Sequence, residues 1–341
     1  MTRPAISVAL ATYNGERFLE EQLQSLAAQT LLPSELVVCD DGSSDRTLQI
    51  LDGFAGRSPF PVRVHRNPRN LGFADNFLTA AARCSGQAIA FCDQDDIWMP
   101  GKLERCAQAL APPDVLLAIH SCELIDTAGR PLGSRYPDIQ KPAIAGPLSW
   151  DRWYRVRGMA MVFSSDLLAV DWSVRPRSHY QPGEMINHDE WVFLLARVAG
   201  SIALIEQPLA VYRQHESNLV GAPRAGLRTV LRTLPETGAR YYAVRAGQSQ
   251  DAADLFARLA DHASAEPLRT RYAAGERVYR RVADLLAARV ALYARETPPG
   301  VRARTLARLL ARGAYGRRSR GSLGPRSLVK DAAAACVGWW T

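Results

Sequence analysis

The sequence lacks paired cysteines and long apolar runs, and both absences narrow the class of protein. Its six cysteines never form a C-x-x-C pair, which argues against a structural zinc site and against a disulfide framework. No stretch reaches the ~18 to 20 uninterrupted apolar residues of a membrane span, and no charged-then-apolar signal segment precedes the first predicted strand. We therefore expect a cytoplasmic protein with reduced, mostly structural thiols. At 341 residues and 47% hydrophobic, the chain can bury a substantial core.

The basic excess of the chain is confined to its last third. Residues 1–221 have a net charge of −5 and residues 222–341 one of +13, which together give the overall +8. Such an asymmetry suggests two parts with different partners. We predict a first domain over residues 1–221 and an Arg-rich, mainly helical region over residues 222–341.

The first hundred residues alternate between strand and helix patterns. Short apolar runs are separated by segments whose apolar residues recur at helical spacing until a Pro or Gly follows. The predicted strands are Ile6–Leu10, Leu36–Cys39, 62–64 and Ala88–Cys92. This alternation predicts an α/β fold with a mostly parallel central sheet flanked by helices.

The rest of the first domain is less regular. Residues 127–150 contain four prolines and little periodicity, which predicts a long irregular excursion of the kind that forms substrate loops or lids. A helix is predicted from about Asp189 to Val198, followed by two strands at 202–205 and 209–212.

An acidic cluster follows the fourth predicted strand in the segment "FCDQDDIWMP", residues 91–100. Three carboxylates within four residues repel one another unless a cation or solvent neutralises them. A D-x-D pair can bring two carboxylates to one hard divalent cation. Polar residues also follow the first two strands, and ligands of open α/β sheets bind at the carboxyl ends of strands. The alternative is a solvated acidic turn in which Asp96 caps the next helix.

Four segments carry a family resemblance. They are "ISVALATYNGERFLEEQLQSLAAQT" at 6–30, "LVVCDDGSSDRT" at 36–47, "NLGFADNF" at 70–77 and "FCDQDDIWMPGKLE" at 91–104. In order and spacing they resemble the family 2 glycosyltransferases, which implies a GT-A, Rossmann-like fold over roughly residues 5–221 with a helical C-terminal extension. "HDEW" at 188–191 and "YRQHESN" at 212–218 resemble the bacterial subgroup with rhamnosyltransferases of cell-surface polysaccharide assembly.

The resemblance implies a nucleotide-sugar site at the strand ends. Its predicted contacts are Thr12, Tyr13, Glu16, Asp41, Asp93 and Asp96. Among them Asp41 stands where the family uses a carboxylate to accept the N–H of the base. Asp41 with Gly42 could also be an ordinary Asp-Gly turn, and Tyr13 could pack beneath the first turn.

The resemblance also implies a metal and a catalytic base. Mg²⁺ or Mn²⁺ is expected on Asp95, the second acid of the D-x-D, with His215 near the diphosphate or the metal. Asp189 stands in the place of the catalytic base, with Glu190 as the local competitor. A carboxylate at a helix N-terminus stays ionised and can take the proton of an acceptor hydroxyl. Alternatively, Asp189 is a plain helix-end charge and His215 is structural.

The expected function is an inverting, metal-dependent transfer of a sugar from a nucleoside-diphosphate sugar to a saccharide or lipid-linked saccharide. dTDP-rhamnose is the donor that the subgroup suggests. One alternative is a sugar-nucleotide-binding protein without turnover, which should lack an acid at 93, 95 or 189, whereas all three are present. A second is a D-x-D phosphatase, which needs Thr or Val where Ile97 stands.

The basic rear segment suggests a membrane surface. Residues 301–320 hold seven arginines with leucines among them, and Trp339 and Trp340 suit a membrane interface. We expect peripheral contact with the anionic inner face of the cytoplasmic membrane. A solvated helical appendage or an oligomer contact is the alternative, and no nucleic-acid partner is expected because no base-reading motif accompanies the charge.

Overall fold

The computed structural model describes residues 3–152, 154, 156–178, 183–215, 238–317 and 321–337. The chain divides into two compact units. The first comprises Met1–Gly146, Arg155–Trp172 and Asn187–Ala222. The second comprises Pro147–Tyr154, Ser173–Ile186 and Pro223–Thr341, so it includes two short segments of the predicted first domain.

The first unit begins with a parallel half-sheet. Its strands are β1 (Ile6–Thr12), β2 (Glu35–Asp40), β3 (Val62–Arg66) and β4 (Ala88–Cys92), in the spatial order β3-β2-β1-β4. The helices α1 (Leu19–Ala27), α2 (Thr47–Ala55) and α3 (Phe73–Ala82) connect them. Every residue of β1, β2 and β4 is buried, as the near-continuous apolar runs of parallel strands require. The predicted α/β fold is confirmed.

Beyond β4 the sheet is mixed. Its further elements are β5 (Ile97–Trp98), α4 (Lys102–Ala109), β6 (Val115–Ile125), β7 (Pro131–Arg135), β8 (Ala143–Ala145), β9 (Met161–Ser164), α5 (His188–Ala199) and β10 (Ser201–Arg213). The order continues β4-β9-β6-β10-β5, with β7 on β6 and β8 on β10. β9 is antiparallel to both of its neighbours, whereas β6 and β10 run parallel.

Two predicted stretches differ in the structure. The excursion over 127–150 contains β7 and β8. All five residues of β7 are exposed, so its sequence lacks the alternation of apolar and polar residues that marks a half-buried strand. The strands predicted at 202–205 and 209–212 form one strand, β10. Its pairing with β6 shifts register between Ile205 and Ala210, where Glu206, Gln207 and Pro208 interrupt the apolar pattern.

The second unit is mainly helical in its described part. Its helices are α6 (Ala239–His262), α7 (Glu266–Tyr293), α8 (Pro299–Ala311) and α9 (Pro325–Val337). They enclose an apolar core that includes Val282, Leu286 and Leu309. Within that core Asp331 accepts hydrogen bonds from Arg289 Nη2 at 2.6 Å and from the Tyr293 hydroxyl at 2.8 Å. Among the described helices of the chain, none is both long and apolar enough to cross a membrane.

Candidate active site

A cavity of about 670 Å³ opens at the carboxyl ends of the parallel strands in the first unit. Thr12 ends β1, Asp41 directly follows β2, and Asp93 directly follows β4. The N-terminus of α5 and the end of β10 complete the wall. The cavity is lined by seven of the predicted site residues: Thr12, Tyr13, Asp41, Asp93, Asp95, Asp189 and His215. The cavity therefore lies where ligands bind in open α/β sheets.

Two predicted site residues lie outside the lining of this cavity. Glu16 Oε2 accepts hydrogen bonds from the backbone N–H of Arg46 at 3.1 Å and from Arg46 Nε at 3.2 Å. Asp96 is 1% exposed, and its Oδ1 accepts the backbone N–H of Arg213 at 3.1 Å. Their assignment as nucleotide-sugar contacts stays a prediction.

Asp41 is held by the loop that precedes α3. Its Oδ1 accepts the backbone N–H of Leu71 at 2.7 Å, and its Oδ2 accepts the backbone N–H of Gly72 at 2.9 Å. Gly72 has a φ of 81°, in the left-handed region that favours glycine. Tyr13, on the same cavity, is 52% exposed. The arrangement presents a fixed carboxylate near a large exposed ring.

A buried amide network supports Asp41 from behind. Asn67 Nδ2 donates to Asp41 Oδ1 at 2.9 Å and lies 2.8 Å from Asn76 Oδ1. Asn76 Nδ2 in turn donates to the Cys39 carbonyl at 3.0 Å. Asn76 lies in the segment "NLGFADNF", but from the sequence alone it could serve helix initiation instead of a role in the site. Asn67 carries no sequence signal of its own.

The acidic turn after β4 is tied to the end of β10. His215 Nε2 lies 2.7 Å from Asp95 Oδ2, and the His215 ring stacks on Phe18 at 5.4 Å. Arg213 Nε donates to the Asp95 carbonyl at 3.1 Å, and Arg213 Nη2 donates to Glu21 Oε2 at 2.6 Å. The late histidine and the second acid of the D-x-D pair thus meet although 120 residues separate them in sequence.

Burial and the crowding of negative charge raise the pKa of the first acid in the turn after β4. Burial, together with the negative charges of Asp95 and Asp189, raises the pKa of Asp93 from 3.8 to about 7. The positive charges of Lys102 and Arg157 oppose that rise. A cation bound here would relieve the repulsion that the three carboxylates create.

Asp189 lies in the first turn of α5 and lines the cavity. It is 4% exposed, and its Oδ1 accepts the backbone N–H of Glu190 at 2.8 Å. Burial raises the pKa of Asp189, while the charge of Arg157 and the backbone hydrogen bond oppose the rise. Glu190 is outside the cavity lining, and its Oε2 faces the backbone N–H of Asn187 at 3.4 Å, as in a capping box. Of the two neighbouring acids, Asp189 is the one exposed to the cavity.

The cavity lining includes residues that were not anticipated, among them Arg157, His188 and Gln94. Arg157 lies in the irregular segment before β9 and is a cation beside the acids. His188 stacks on Phe77 at 4.1 Å, within an aromatic cluster. Gln94, between the two acids of the D-x-D, contacts the backbone of Tyr13. An isolated Arg and a Gln inside an acidic motif have no periodic or compositional signature, so only the fold identifies them.

The chemistry of the site suits a divalent metal ion that is held partly by substrate. Among the described residues, no group of three or more His, Cys, Asp or Glu side chains could hold a metal ion. Mg²⁺ usually takes one or two carboxylates and completes its ligands with substrate phosphates and water. Asp93 and Asp95 supply such a pair, and the negative charges of Asp95 and Asp189 add to burial in raising the pKa of Asp93. These residues therefore fit an ion shared with a bound diphosphate.

The fold and the site together define a class. A parallel half-sheet continued by mixed strands, with an acidic pair after its fourth strand and a helix-borne carboxylate on the same cavity, is the arrangement of a GT-A-type glycosyltransferase domain. Residues 7–168 match the model of the family described as glycosyl transferase family 2. This part of the chain belongs to that family.

The chain is similar to several other proteins. An uncharacterized protein of Mycobacterium tuberculosis is 29% identical over 213 residues, which cover 62% of this chain and 59% of that relative. The Escherichia coli protein WfgD, named a UDP-Glc:alpha-D-GlcNAc-diphosphoundecaprenol beta-1,3-glucosyltransferase, is 32% identical over 36% of this chain and 47% of its own length. The crystal structure of S. aureus TarS 1-349 in complex with UDP-GlcNAc matches with a TM-score of 0.52 and 18% identity, covering 89% of this chain and 84% of that one. At this identity the match to TarS concerns the fold alone.

Proposed function

We propose that this protein transfers a sugar from a nucleoside-diphosphate sugar to a saccharide or lipid-linked saccharide acceptor, with inversion at the anomeric carbon. One observation carries the proposal. A single cavity is lined by carboxylates suited to three roles. Asp41 can bind the nucleobase, Asp93 and Asp95 can hold a metal-bound diphosphate, and Asp189 can take a proton. Inversion is the expectation that follows from the family resemblance.

The donor is proposed to lie along the strand ends. The base would stack on the exposed ring of Tyr13 and donate its N–H to Asp41 Oδ2, which accepts one hydrogen bond from Gly72 and retains a further acceptor direction. Asp93 and Asp95 would hold Mg²⁺ or Mn²⁺ against the diphosphate, with His215 supporting Asp95 at 2.7 Å. When bound, the metal ion would offset the negative charge that gathers on the departing diphosphate.

Asp189 is proposed to be the general base that takes the proton of the acceptor hydroxyl. The oxygen of the acceptor hydroxyl forms a bond to the anomeric carbon, the bond from that carbon to the diphosphate oxygen breaks, and Asp189 takes the hydroxyl proton. The nucleoside diphosphate leaves with the bonding electrons. Arg157 lies on the same cavity, and its positive charge favours the ionised form of Asp189 that a base requires.

The finer identity of the substrates is a further proposal. dTDP-rhamnose is suggested by the subgroup resemblance of "HDEW" and "YRQHESN". Relatives such as WfgD, whose name specifies a diphosphoundecaprenol acceptor, support a lipid-linked saccharide. The cavity is large enough for a nucleotide sugar, because ligand sites of about 300 to 1,000 Å³ enclose molecules of this size.

Peripheral membrane contact is proposed through the basic second unit. Arg304, Arg308 and Arg312 are exposed and follow one another at intervals of four residues on and just after α8, beside a half-exposed Leu310. A helix with this composition suits an anionic lipid surface, where a lipid-linked acceptor would be found. Trp339 and Trp340, predicted to lie at the interface, are outside the described residues.

The test is release of nucleoside diphosphate by the purified protein from a panel of UDP-, GDP- and dTDP-sugars, with Mg²⁺, Mn²⁺ or EDTA, beside Asp95→Asn. Release from one donor that is abolished by EDTA and by Asp95→Asn would establish a metal-dependent transferase and identify its donor. Metal-dependent binding without release would show that an acceptor is missing from the assay. Failure of every nucleotide to bind would exclude the proposal.

A further inference from the structure

Gln94 lies between the two acids of the D-x-D pair, and its side chain forms hydrogen bonds with the backbone of the residue that directly follows β1. The Tyr13 backbone N–H donates to Gln94 Oε1 at 3.0 Å, and Gln94 Nε2 donates to the Tyr13 carbonyl at 3.0 Å. Both hydrogen bonds of one carboxamide therefore go to one residue. A carboxylate could accept but not donate, and an apolar side chain could do neither.

The chain leaves room for this carboxamide at Gly15. A Cβ added to Gly15 would lie 2.3 Å from Gln94 Oε1 and 2.6 Å from Gln94 Cδ, far inside normal contact. Gly15 is not among the glycines with positive φ. Glycine at position 15 is thus explained by the space that the Gln94 amide occupies and not by backbone conformation.

We propose that Gln94 is a positioning residue that holds the Tyr13 backbone against the acidic turn, so that the nucleoside-binding and diphosphate-binding parts of the site keep one fixed spacing. The inference rests on the proposed function. A nucleoside-diphosphate sugar spans both parts at once, and its affinity depends on their relative position. Tyr13, Gln94 and both flanking acids line the same cavity.

The other side of the same turn is fixed to the β2 end. Asn14, with a φ of 47°, accepts the Ser44 backbone N–H on its Oδ1 at 2.8 Å, and its own N–H donates to Ser43 Oγ at 2.9 Å. These bonds fix the turn relative to the Asp40–Asp41 corner, whereas the Gln94 bonds fix it relative to Asp93 and Asp95. Loss of Gln94 should therefore disturb the spacing to the metal side and leave the turn anchored on the other side.

A double-mutant cycle tests the proposal. The dissociation constants of UDP, GDP and dTDP with saturating Mg²⁺, and the donor KM and kcat, are measured for the wild type, Gln94→Ala, Gly15→Ala and the double variant. Each single variant should weaken nucleotide binding roughly fivefold or more, the scale of one or two lost hydrogen bonds. The double variant should bind nucleotide no more weakly than the weaker-binding of the two single variants. The reason is that Gly15→Ala acts by displacing an amide that Gln94→Ala has already removed.

Two further variants separate positioning from folding. Gln94→Glu keeps the side-chain length but turns a carboxylate oxygen toward the Tyr13 carbonyl, so it should weaken nucleotide binding while the melting temperature stays close to wild type. Gln24→Ala removes an exposed glutamine of α1 that bonds Glu20 and should leave nucleotide binding unchanged. If Gln94 only stabilised the fold, its variants would lower the melting temperature and bind nucleotide normally once folded.

The outcomes are distinct. Equal binding losses from Gly15→Ala in the wild-type and the Gln94→Ala backgrounds would overturn the proposal, because the added methyl group would then act elsewhere. Normal nucleotide binding by both Gln94→Ala and Gln94→Glu would also overturn it while leaving the proposed function intact. If the wild type bound none of the three nucleotides, both the proposed function and the positioning role of Gln94 would be wrong.

Discussion

Glu35 offers a quantitative test of the structure, because it lies at the start of β2, at the other end of the strand from the cavity. Its carboxylate accepts hydrogen bonds from the Ser85 backbone N–H at 2.6 Å, from Ser7 Oγ at 2.8 Å and from Arg63 Nε at 3.1 Å. Burial alone would raise its pKa. The hydrogen bonds outweigh burial and lower the pKa of Glu35 from 4.5 to about 2.

The lowered pKa of Glu35 sets both the size and the pH dependence of its contribution to the stability of the fold. A difference of about 2.5 between the unfolded and folded pKa values corresponds to about 3 kcal/mol of stability. Because the folded pKa is the lower one, this contribution is complete above pH 4.5 and is lost as the pH falls toward 2. At pH 3 only about 1 kcal/mol of it should remain.

The assay compares Glu35→Gln with the wild type by urea unfolding at pH 7 and pH 3. The variant should be less stable by about 3 kcal/mol at pH 7 and by about 1 kcal/mol at pH 3. Glu20→Gln is the matched control, since Glu20 pairs with Arg57 on an exposed surface and should change stability by less than about 1 kcal/mol. An equal deficit at both pH values would refute the electrostatic explanation, because the loss would then come from shape and packing.

Three further predictions address the base, the second unit and the membrane. Asp189→Asn should lower sugar transfer roughly 10²- to 10⁴-fold with donor binding intact, whereas Glu190→Gln should leave turnover essentially unchanged; the reverse result would move the base to Glu190. Asp331→Asn should destabilise the protein by about 3 to 5 kcal/mol because Arg289 would keep a buried charge without its partner, and a loss below about 1 kcal/mol in thermal or urea unfolding would contradict this. Replacing the three exposed arginines at 304, 308 and 312 by alanine should weaken sedimentation with anionic vesicles by about 1 kcal/mol per residue, and binding that is equal on neutral vesicles would argue against the electrostatic contact.

The sequence predicted the parallel half of the sheet well and the mixed half poorly. β1, β2 and β4 are buried on both faces and carry apolar runs that end at turn residues, so their pattern is visible without tertiary information. β7 has no buried residue, and the apolar pattern of β10 is broken at Pro208 by a shift in register. β6, which pairs with three other strands, was not predicted, because pairing partners are set by the fold and not by local pattern.

The same distinction applies to the cavity. The family motifs led to Asp41, Asp93, Asp95, Asp189 and His215, because each follows a strand end or begins a helix. Residues that support these groups were missed. Asn67 acts through a hydrogen bond to Asp41, and Gln94 acts through the Tyr13 backbone, 81 residues away in sequence. Their roles depend on side-chain contacts between distant segments.

The three carboxylates after β4 are not equivalent, and their burial explains how the chain tolerates them together. Asp96 is 1% exposed, accepts the Arg213 backbone N–H and lies near the buried Lys102, whose Nζ also donates to the Met159 carbonyl at 2.6 Å. Asp93 and Asp95 face the cavity. Burial, together with the negative charges of Asp95 and Asp93, raises the pKa of Asp96 well above 3.8. Burial thus disfavours the charged form of Asp96, which is outside the cavity lining, whereas Asp93 and Asp95 lie where a bound cation could offset their charge.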